Sequence, residues 1–181
     1  MADEEFLSWF WAPICAVGAH GSGRVNAQIS VSIFGASAVP ERPRLLLVLY
    51  RPNYTRDLVE QSGTLAVTVL STAQMELVLP LGTRSGRDGD KLEGIEVELT
   101  ALGDPYFPAG IGMVSCEAIE SFELGEATAF LCALRESQAL QTGTPFTTAD
   151  VRAQLGDAFA QPWAEKRERE LPLLRELMHW K

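Results

Sequence analysis

The sequence predicts a mainly β protein: an antiparallel barrel of the Greek-key type with short inserted helices and a helical C-terminal extension. Two observations support this prediction. Short apolar or alternating segments bounded by glycine or proline dominate the first 140 residues. Beyond residue 147 the apolar residues recur at helical spacing. Because 181 residues is close to the usual size of one domain, we expect residues 1–145 to form the barrel and 146–181 to extend the same domain.

The barrel is predicted to begin with a β-hairpin. Residues 14–19 are an apolar strand segment, and residues 20–24 (HGSGR) form a glycine-rich turn. The stretch 25–33, VNAQISVSI, then alternates strictly between apolar and polar side chains, which indicates a strand that runs to about Gly35. Its polar face carries no charge and consists of Asn26, Gln28, Ser30 and Ser32. Short neutral groups alone are unusual on a solvated strand face, so this face is a candidate ligand surface.

The next part of the chain predicts two strands around a short helix. Residues 44–50 (RLLLVLY) are a continuous apolar run, which is typical of a strand buried on both faces. Residues 51–63 predict a helix that Asn53 or Thr55 caps and Gly63 ends. Residues 64–70 predict the following strand.

The remaining elements follow from the same patterns. The hydrophobic opening at 6–11 predicts a helix that Pro13 ends. The other expected elements are a helix over 71–82 kinked or ended near Pro80, a charged loop over 83–94, strands over 95–103, 112–125 and 128–140, and helices over 147–161 and 163–181, the last broken near Pro172.

Composition excludes several classes of function. The net charge of −9, from 15 basic and 24 acidic residues, argues against general nucleic-acid binding, which needs a basic face. The sequence has no run of about 18 apolar residues that would predict a membrane span, and its acidic start does not resemble a secretory signal. We therefore expect a cytoplasmic protein.

Cysteine and histidine offer no obvious catalytic or metal centre. Cys15, Cys116 and Cys132 are far apart and lack CxxC spacing, so we expect buried, reduced thiols and no metal site. Neither His20 nor His179 has a neighbouring nucleophile that would indicate a hydrolase triad.

Two further stretches could complete a site for an anion beside the polar strand face. The first is Arg51 to Thr55, because a helix N-terminus offers free N–H groups and a positive dipole end, to which Arg51 and the Thr55 hydroxyl add donors. Alternatively, Thr55 only caps the helix and Arg51 is solvated. The second is TRSGRDGDK (83–91), with Arg84, Arg87 and Lys91, which could equally be a solvated loop held by internal ion pairs.

Several segments carry a resemblance to a known family. In order along the chain they are VNAQISVS, VPERP, RLLLVLY, RPNYT, GTLAVTVL, SGRDGDKL and LGEATAFLCAL. Their order resembles that of the flavin reductase-like family of FMN-binding split barrels. The similarity covers about residues 12–140 and is greatest to the flavoredoxin-like branch, in which an SGRD-x-DK segment also occurs. The resemblance implies a homodimer with one FMN per subunit near the interface. It also implies transfer of reducing equivalents from NAD(P)H to flavin, with the cofactor supplying the chemistry.

The resemblance also implies which residues contact the cofactor. The strand segment that would contact the isoalloxazine edge and the ribityl chain is Asn26, Ala27, Gln28, Ile29 and Ser30, and Ser32 stands where some relatives have an aromatic residue. The phosphate would lie at Arg51 and Thr55, and Lys91 would approach the flavin or its phosphate. No metal is implied, and no catalytic residue is assigned.

One departure from the family pattern bears on activity. Many relatives carry a Gly-Asp-His-Thr turn before the last long strand, whereas this chain has Gly125, Glu126, Ala127 and Thr128 there, with Ala127 in place of the histidine. Three functions therefore stay open: an NAD(P)H:flavin oxidoreductase, a non-catalytic flavin-binding or electron-relay protein, and a split-barrel interaction module without a cofactor.

Overall fold

The computed structural model of the chain describes residues 13–178, so the helix expected at 6–11 lies outside the described residues. Within the described part, no helix is long and apolar enough to span a membrane. The strands are β1 (Cys15–Gly21), β2 (Arg24–Ser30), β3 (Ile33–Gly35), β4 (Arg44–Tyr50), β5 (Thr64–Val69), β6 (Glu98–Leu99), β7 (Pro105–Tyr106), β8 (Gly112–Glu123) and β9 (Ala127–Ala139). The helices are α1 (Tyr54–Ser62), α2 (Val78–Thr83), α3 (Thr148–Leu155) and α4 (Asp157–Leu177), and a 3₁₀ helix (Thr72–Leu77) precedes α2.

Seven strands form one antiparallel sheet in the order β2-β1-β5-β8-β9-β4-β3. Strands β2 and β3 thus occupy opposite edges of the sheet, yet only Val31 and Ser32 separate them along the chain. Two connecting residues bridge roughly 10 Å at most, so the sheet has to curl until its edges come close together. The predicted antiparallel barrel is confirmed as a split barrel, open beside β2.

Several predicted turns and helix ends are confirmed, because the residues that predict them lie within the same short segment. The hairpin β1–β2 turns at Ser22 and Gly23, whose φ angles of 50° and 74° are those of a two-residue hairpin turn. Helix α1 begins after Asn53 and ends at Gly63, which adopts the left-handed conformation (φ 71°). The long strands β8 and β9 pair as predicted.

Two large apolar clusters, one on each face of the curled sheet, form most of the core, and a third, smaller cluster contains Ala66, Tyr106 and Met113. The first lies between the sheet and α1, and the second lies beneath α2 and α3. Fully buried members of the first include Val17, Leu47, Leu49, Leu58 and Leu65; those of the second include Leu70, Leu81, Phe107, Phe146 and Val151. The core therefore ties the short helices to both faces of the sheet.

All three cysteines are free and buried. Burial raises the pKa of the Cys15, Cys116 and Cys132 thiols to about 12, so each stays protonated at neutral pH. This confirms the expected buried thiols and leaves them poor nucleophiles.

The second strand and the segment 95–103 differ from prediction. The predicted second strand is interrupted at Val31 and Ser32, where the chain passes from one sheet edge to the other. The predicted strand 95–103 is wrong except for Glu98–Leu99, because Ile95 and Val97 pack on the second core cluster instead of continuing a ladder.

Strand β4 is fully buried on one face only, which corrects the expectation for 44–50. Leu47 and Leu49 point into the first core cluster, whereas Leu46 and Val48 lie on the opposite face and stay partly exposed. The strand register places further apolar residues on that same face. We call it the outer sheet face: Phe34, Leu46, Val48, Tyr50, Phe122 and Leu124. Phe34, Tyr50, Phe122 and Leu124 are 41–49% exposed, so this face is only partly covered.

The helix boundaries also differ from prediction. The expected helix over 71–82 is a 3₁₀ helix followed by α2, and Pro80 lies in the first turn of α2, where proline is tolerated. The C-terminal helices separate at Gly156 (φ 49°, ψ −132°), and α4 continues through Pro162 and Pro172 without ending. The backbone conformation at Gly156 therefore sets the boundary.

Candidate functional site

A cleft of about 280 Å³ lies at the open edge of the sheet, beside β2. It is lined by the polar face of β2, the start of α1, the loop 84–91 and the helices α2 to α4. Because β2 pairs only with β1, alternate main-chain N–H and C=O groups along its other edge lack a strand partner. The cleft therefore combines main-chain and side-chain hydrogen-bonding groups.

The polar face of β2 forms one wall of the cleft. Asn26, Gln28 and Ser30 are each less than a tenth exposed (3%, 7% and 7%), and Ser32 and Ile29 also line the cleft. The Gln28 Oε1 atom is buried without a hydrogen-bond partner. An unpaired buried acceptor costs about 1–3 kcal/mol, so a ligand with an N–H or O–H group would relieve that cost.

Three parts of the fold meet at Asn26. The Asn26 Nδ2 donates to the hydroxyl oxygen of Thr55, which is fully buried on α1 (2.8 Å). Gly86 of the loop packs against the same side chain, and a Cβ atom at Gly86 would lie 2.3 Å from Asn26 Oδ1. Only glycine allows the loop to approach β2 this closely, so the glycine of the SGRD segment has a specific steric role.

The start of α1 is open to an anion. Asn53, the residue before the helix, makes no side-chain cap; instead its Oδ1 accepts from Lys166 Nζ at 3.5 Å. Tyr54 and Thr55 line the cleft in the first turn. The first N–H groups and the positive end of the helix dipole are therefore available at the cleft.

Cation–π contacts and hydrogen bonds hold the loop 84–91 in place. Arg24 donates to the Gly86 carbonyl oxygen (2.9 Å), and Arg87 donates to the Pro52 carbonyl oxygen (2.7 Å) and pairs with Asp57. Both guanidinium groups lie over the ring of Tyr54, at 5.1 and 5.4 Å from its centre. Arg87 therefore fastens the loop to α1 through a partner that lies outside the loop.

Lys91 lies in the cleft as the sequence predicted, but it is buried. Its Nζ donates to the Leu81 carbonyl oxygen (2.9 Å), and its side chain is only 7% exposed. Burial, with a smaller contribution from the charge of Lys166, lowers the pKa of Lys91 from 10.5 to about 7. Lys91 is thus poised to gain or lose its charge near neutral pH.

Sequence reasoning missed the part of the cleft that the C-terminal helices supply. One face of α4 lines the cleft with Phe159, Trp163, Lys166, Arg167 and Glu170. Lys166 pairs with Glu170 at 2.9 Å. The spacing of these residues at three, four and seven positions was a visible signal for one helix face.

Ala27 and Arg51, which the family resemblance assigned to the site, do not line the cleft. Ala27 is fully buried and points into the second core cluster, because side chains alternate along β2. Arg51 donates to the Gly125 carbonyl oxygen (3.0 Å) and pairs with Glu123, which turns its guanidinium toward the β8–β9 turn. Neither side chain faces the cleft, so the contacts with a cofactor that the resemblance implies for Ala27 and Arg51 stay predictions.

The cleft offers few groups for protein acid–base chemistry. Among its described lining residues there is no histidine, cysteine or aspartate. Ala127, at the position of the family histidine, is buried opposite Tyr50 in the sheet. In the part of the chain from 13 to 178, no group of three or more His, Cys, Asp and Glu could hold a metal ion.

Residues 7–145 match the model of the flavin reductase like domain. The chain belongs to this family. The match covers the whole sheet and ends before α3 and α4, so the helices that close the cleft lie outside the family domain.

Solved structures of flavin proteins share the family fold. An FMN-binding protein from Thermus thermophilus superposes with a TM-score of 0.66 at 22% identity, covering 72% of this chain and 73% of that one. Flavoredoxin from Methanosarcina acetivorans gives 0.67 at 20% identity, with 75% of each chain covered. An NADH:FAD oxidoreductase from Streptomyces globisporus gives 0.69 at 17% identity, covering 81% of this chain and 91% of that one.

A curated relative matches over part of its own length. The high molecular weight rubredoxin of Moorella thermoacetica is 23% identical over 128 residues, which is 70% of this chain. The chain spans about half the length of that relative (55%).

Proposed function

We propose that the protein binds FMN in the cleft beside β2 and acts as a flavin-dependent oxidoreductase with NAD(P)H as electron donor. The observation that carries the proposal is the division of the cleft into two chemical halves. Neutral amide and hydroxyl groups line β2, whereas the uncapped start of α1, Lys91 and Lys166 provide positive charge. A flavin mononucleotide has the same division into a neutral ring, a polyol chain and a phosphate.

The donor set fits this cofactor. Gln28 and Ser30 would hydrogen-bond the ring or the polyol, and the unpaired Gln28 Oε1 is an acceptor for a ligand N–H. Thr55, Lys91 and the first N–H groups of α1 would hold the phosphate. When bound, the flavin supplies hydride acceptance and electron transfer, while the protein binds, orients and shields it from water.

A second candidate function is flavin binding without efficient turnover, for storage or electron relay. The observation that favours it is the absence of histidine, cysteine and aspartate from the described cleft lining, with Ala127 at the family histidine position. A protein of this kind would bind FMN through the same residues but would be reduced slowly by nicotinamides.

We also propose a homodimer that forms through the outer sheet face. Phe34, Tyr50 and Phe122 are 41–49% exposed on one continuous apolar surface, which a soluble monomer rarely leaves uncovered. Val48 and Tyr50 belong both to this face and to the cleft lining. A second copy bound here would lie beside the flavin site, in line with the dimer that the family resemblance implies.

Titration of the flavin-free protein with FMN tests the proposed site. We expect Lys91→Met to weaken FMN binding by about tenfold or more, because it removes a charged donor. Arg135→Met is the matched control: it removes one exposed positive charge, paired with Glu117, outside the cleft. Absence of FMN binding to the unmodified protein, or equal affinities of the two variants, would contradict the proposal.

Reduction without oxygen separates the two candidate functions. NADH and then NADPH are added to the FMN-loaded protein, and the loss of flavin absorbance is followed in time. Rapid bleaching supports the oxidoreductase, and bound flavin that is bleached no faster than free FMN supports the binding or relay protein.

A further inference from the structure

Helix α4 lies outside the family domain yet forms one wall of the cleft. The family match ends at residue 145, whereas α4 runs from Asp157 to Leu177. Its cleft residues recur at helical spacing, so they belong to one face of the helix. This wall is therefore a feature that this chain adds to the family fold.

The first half of this wall is aromatic. Phe159 and Trp163 stack with ring centres 6.3 Å apart and planes 29° apart, and the Arg167 guanidinium lies 5.0 Å from the Trp163 ring centre. We call Phe159, Trp163 and Arg167 the aromatic ladder. Phe159 also packs on the second core cluster, which anchors the ladder. Trp163 is 39% exposed and lines the cleft, so its ring has apolar surface left to cover.

The second half of the wall is charged. Lys166 lies one turn beyond Trp163 and donates to Glu170 (3.0 Å) and to Asn53 at the start of α1 (3.5 Å). Along α4 the wall thus changes from aromatic rings to the ion pair of Lys166 and Glu170, and Lys166 adjoins the uncapped start of α1. A ligand with a flat ring at one end and an anion at the other matches this order.

We propose that the aromatic ladder is the second wall of the ring-binding site, with Trp163 packing against the flavin ring opposite the polar face of β2. Lys166, in contrast, acts on the phosphate only. This inference rests on the proposed flavin binding and adds two ligand-contacting residues from outside the family domain. It makes α4 a determinant of which flavins the protein accepts.

Comparison of riboflavin with FMN tests the proposal, because riboflavin has the ring but no phosphate. Dissociation constants are measured by quenching of flavin fluorescence for Trp163→Ala, Trp163→Phe and Lys166→Met. We expect Trp163→Ala to weaken both ligands by the same factor, about three- to tenfold, and Trp163→Phe to stay within about twofold of the unmodified protein. Lys166→Met should weaken FMN alone. Glu168→Ala, an exposed α4 residue away from the cleft, is the control.

The other possible results contradict either the role of Trp163 or the proposed flavin binding itself. Unchanged riboflavin binding by Trp163→Ala, or weakening of FMN alone, overturns the role of Trp163 in the ring site. If the unmodified protein binds neither flavin, the proposed function itself has failed. Melting temperatures without ligand check the fold, and Trp163→Leu, which keeps an apolar side chain, replaces the alanine variant if that variant melts early. The leucine variant must then show the same equal weakening of both ligands.

Discussion

Lys91 is buried, and its ammonium group can carry the positive charge that would bind a phosphate. The side chain lies in the cleft with its Nζ on the Leu81 carbonyl oxygen, and burial brings its pKa down to about 7. Part of the ligand-free molecules therefore lacks this charge at neutral pH. A bound anion favours the charged form, so ligand binding and protonation of Lys91 are coupled.

This coupling predicts that FMN affinity falls as pH rises above about 7. Below that pH Lys91 is already charged in the free protein. Above it the free protein loses the proton while the complex keeps it, so the dissociation constant rises, by up to about tenfold per pH unit. Titrations with FMN between about pH 6.5 and 9 measure the slope, and the FMN phosphate is already largely ionised there, since its second pKa is about 6.

The variant Lys91→Met is the control for this slope. Its affinity should be low at every pH and nearly independent of pH over the same range, because the coupled proton is gone. An unmodified protein whose affinity does not change between neutral and alkaline pH would contradict the assignment of Lys91 to the phosphate.

Gly86 is the second residue whose environment predicts a specific effect. We expect Gly86→Ala to lower the free energy of unfolding by about 1–3 kcal/mol and to weaken FMN binding, because its Cβ would lie 2.3 Å from Asn26 Oδ1. Gly89→Ala in the same loop is the control, since nothing lies within 4 Å of a Cβ there. Urea denaturation and FMN titration measure both effects, and equal behaviour of the two variants would refute the steric role.

At the residue scale, the sequence placed those cleft residues correctly whose positions follow from their immediate neighbours in the chain. Alternation placed Asn26, Gln28 and Ser30 on one face, and the helix start placed Thr55 next to a predicted anion site. The orientation of the Arg51 side chain was not foreseen because its acceptors, Glu123 and Gly125, lie more than 70 positions away in sequence. A single sequence does not reveal such a long-range ion pair.

At the element scale, the same distinction explains the errors. The hairpin β1–β2 and helix α1 were predicted because turn and cap residues lie within each element. The segment 95–103 has strand-like alternation, but a strand also needs a partner, and Ile95 and Val97 pack on core side chains instead. The boundary between α3 and α4 was expected between residues 161 and 163, whereas Gly156 determines it through its backbone conformation.

A substitution at Gly156 is therefore expected to change the position of α4 as a whole. Its φ of 49° with ψ of −132° is a combination that residues with a side chain rarely adopt, and a Cβ there would meet no neighbour. We expect Gly156→Ala to destabilise the protein by about 1–3 kcal/mol through backbone strain alone and to weaken flavin binding by displacing the α4 wall. Thermal unfolding and riboflavin titration measure both quantities. Unchanged stability and affinity would contradict this account.

At the scale of the whole molecule, charge and apolar surface are both unevenly distributed. The chain carries a net charge of −9, yet Arg84, Lys91 and Lys166 all line the cleft. An anionic ligand is therefore repelled at long range and attracted locally, which favours recognition of a specific phosphate over general binding of polyanions. Four of the twelve exposed large apolar side chains of the described residues lie on the outer sheet face, and Tyr50 among them also lines the cleft.

The outer sheet face predicts the oligomeric state and its link to the site. We expect the protein to sediment as a dimer and Phe122→Asp to shift it to the monomer, because a carboxylate would be buried in an apolar interface. Since Val48 and Tyr50 border both this face and the cleft, the monomeric variant should also bind FMN more weakly. Leu99→Asp is the matched control, as Leu99 is an exposed leucine on β6, away from that face.

Analytical ultracentrifugation at several protein concentrations measures the first effect, and FMN titration at the same concentrations measures the second. A monomer at all concentrations would refute the interface. A Phe122→Asp monomer with full FMN affinity would keep the interface but place the flavin entirely within one subunit. Affinity that rises with protein concentration would show that the second copy completes the site.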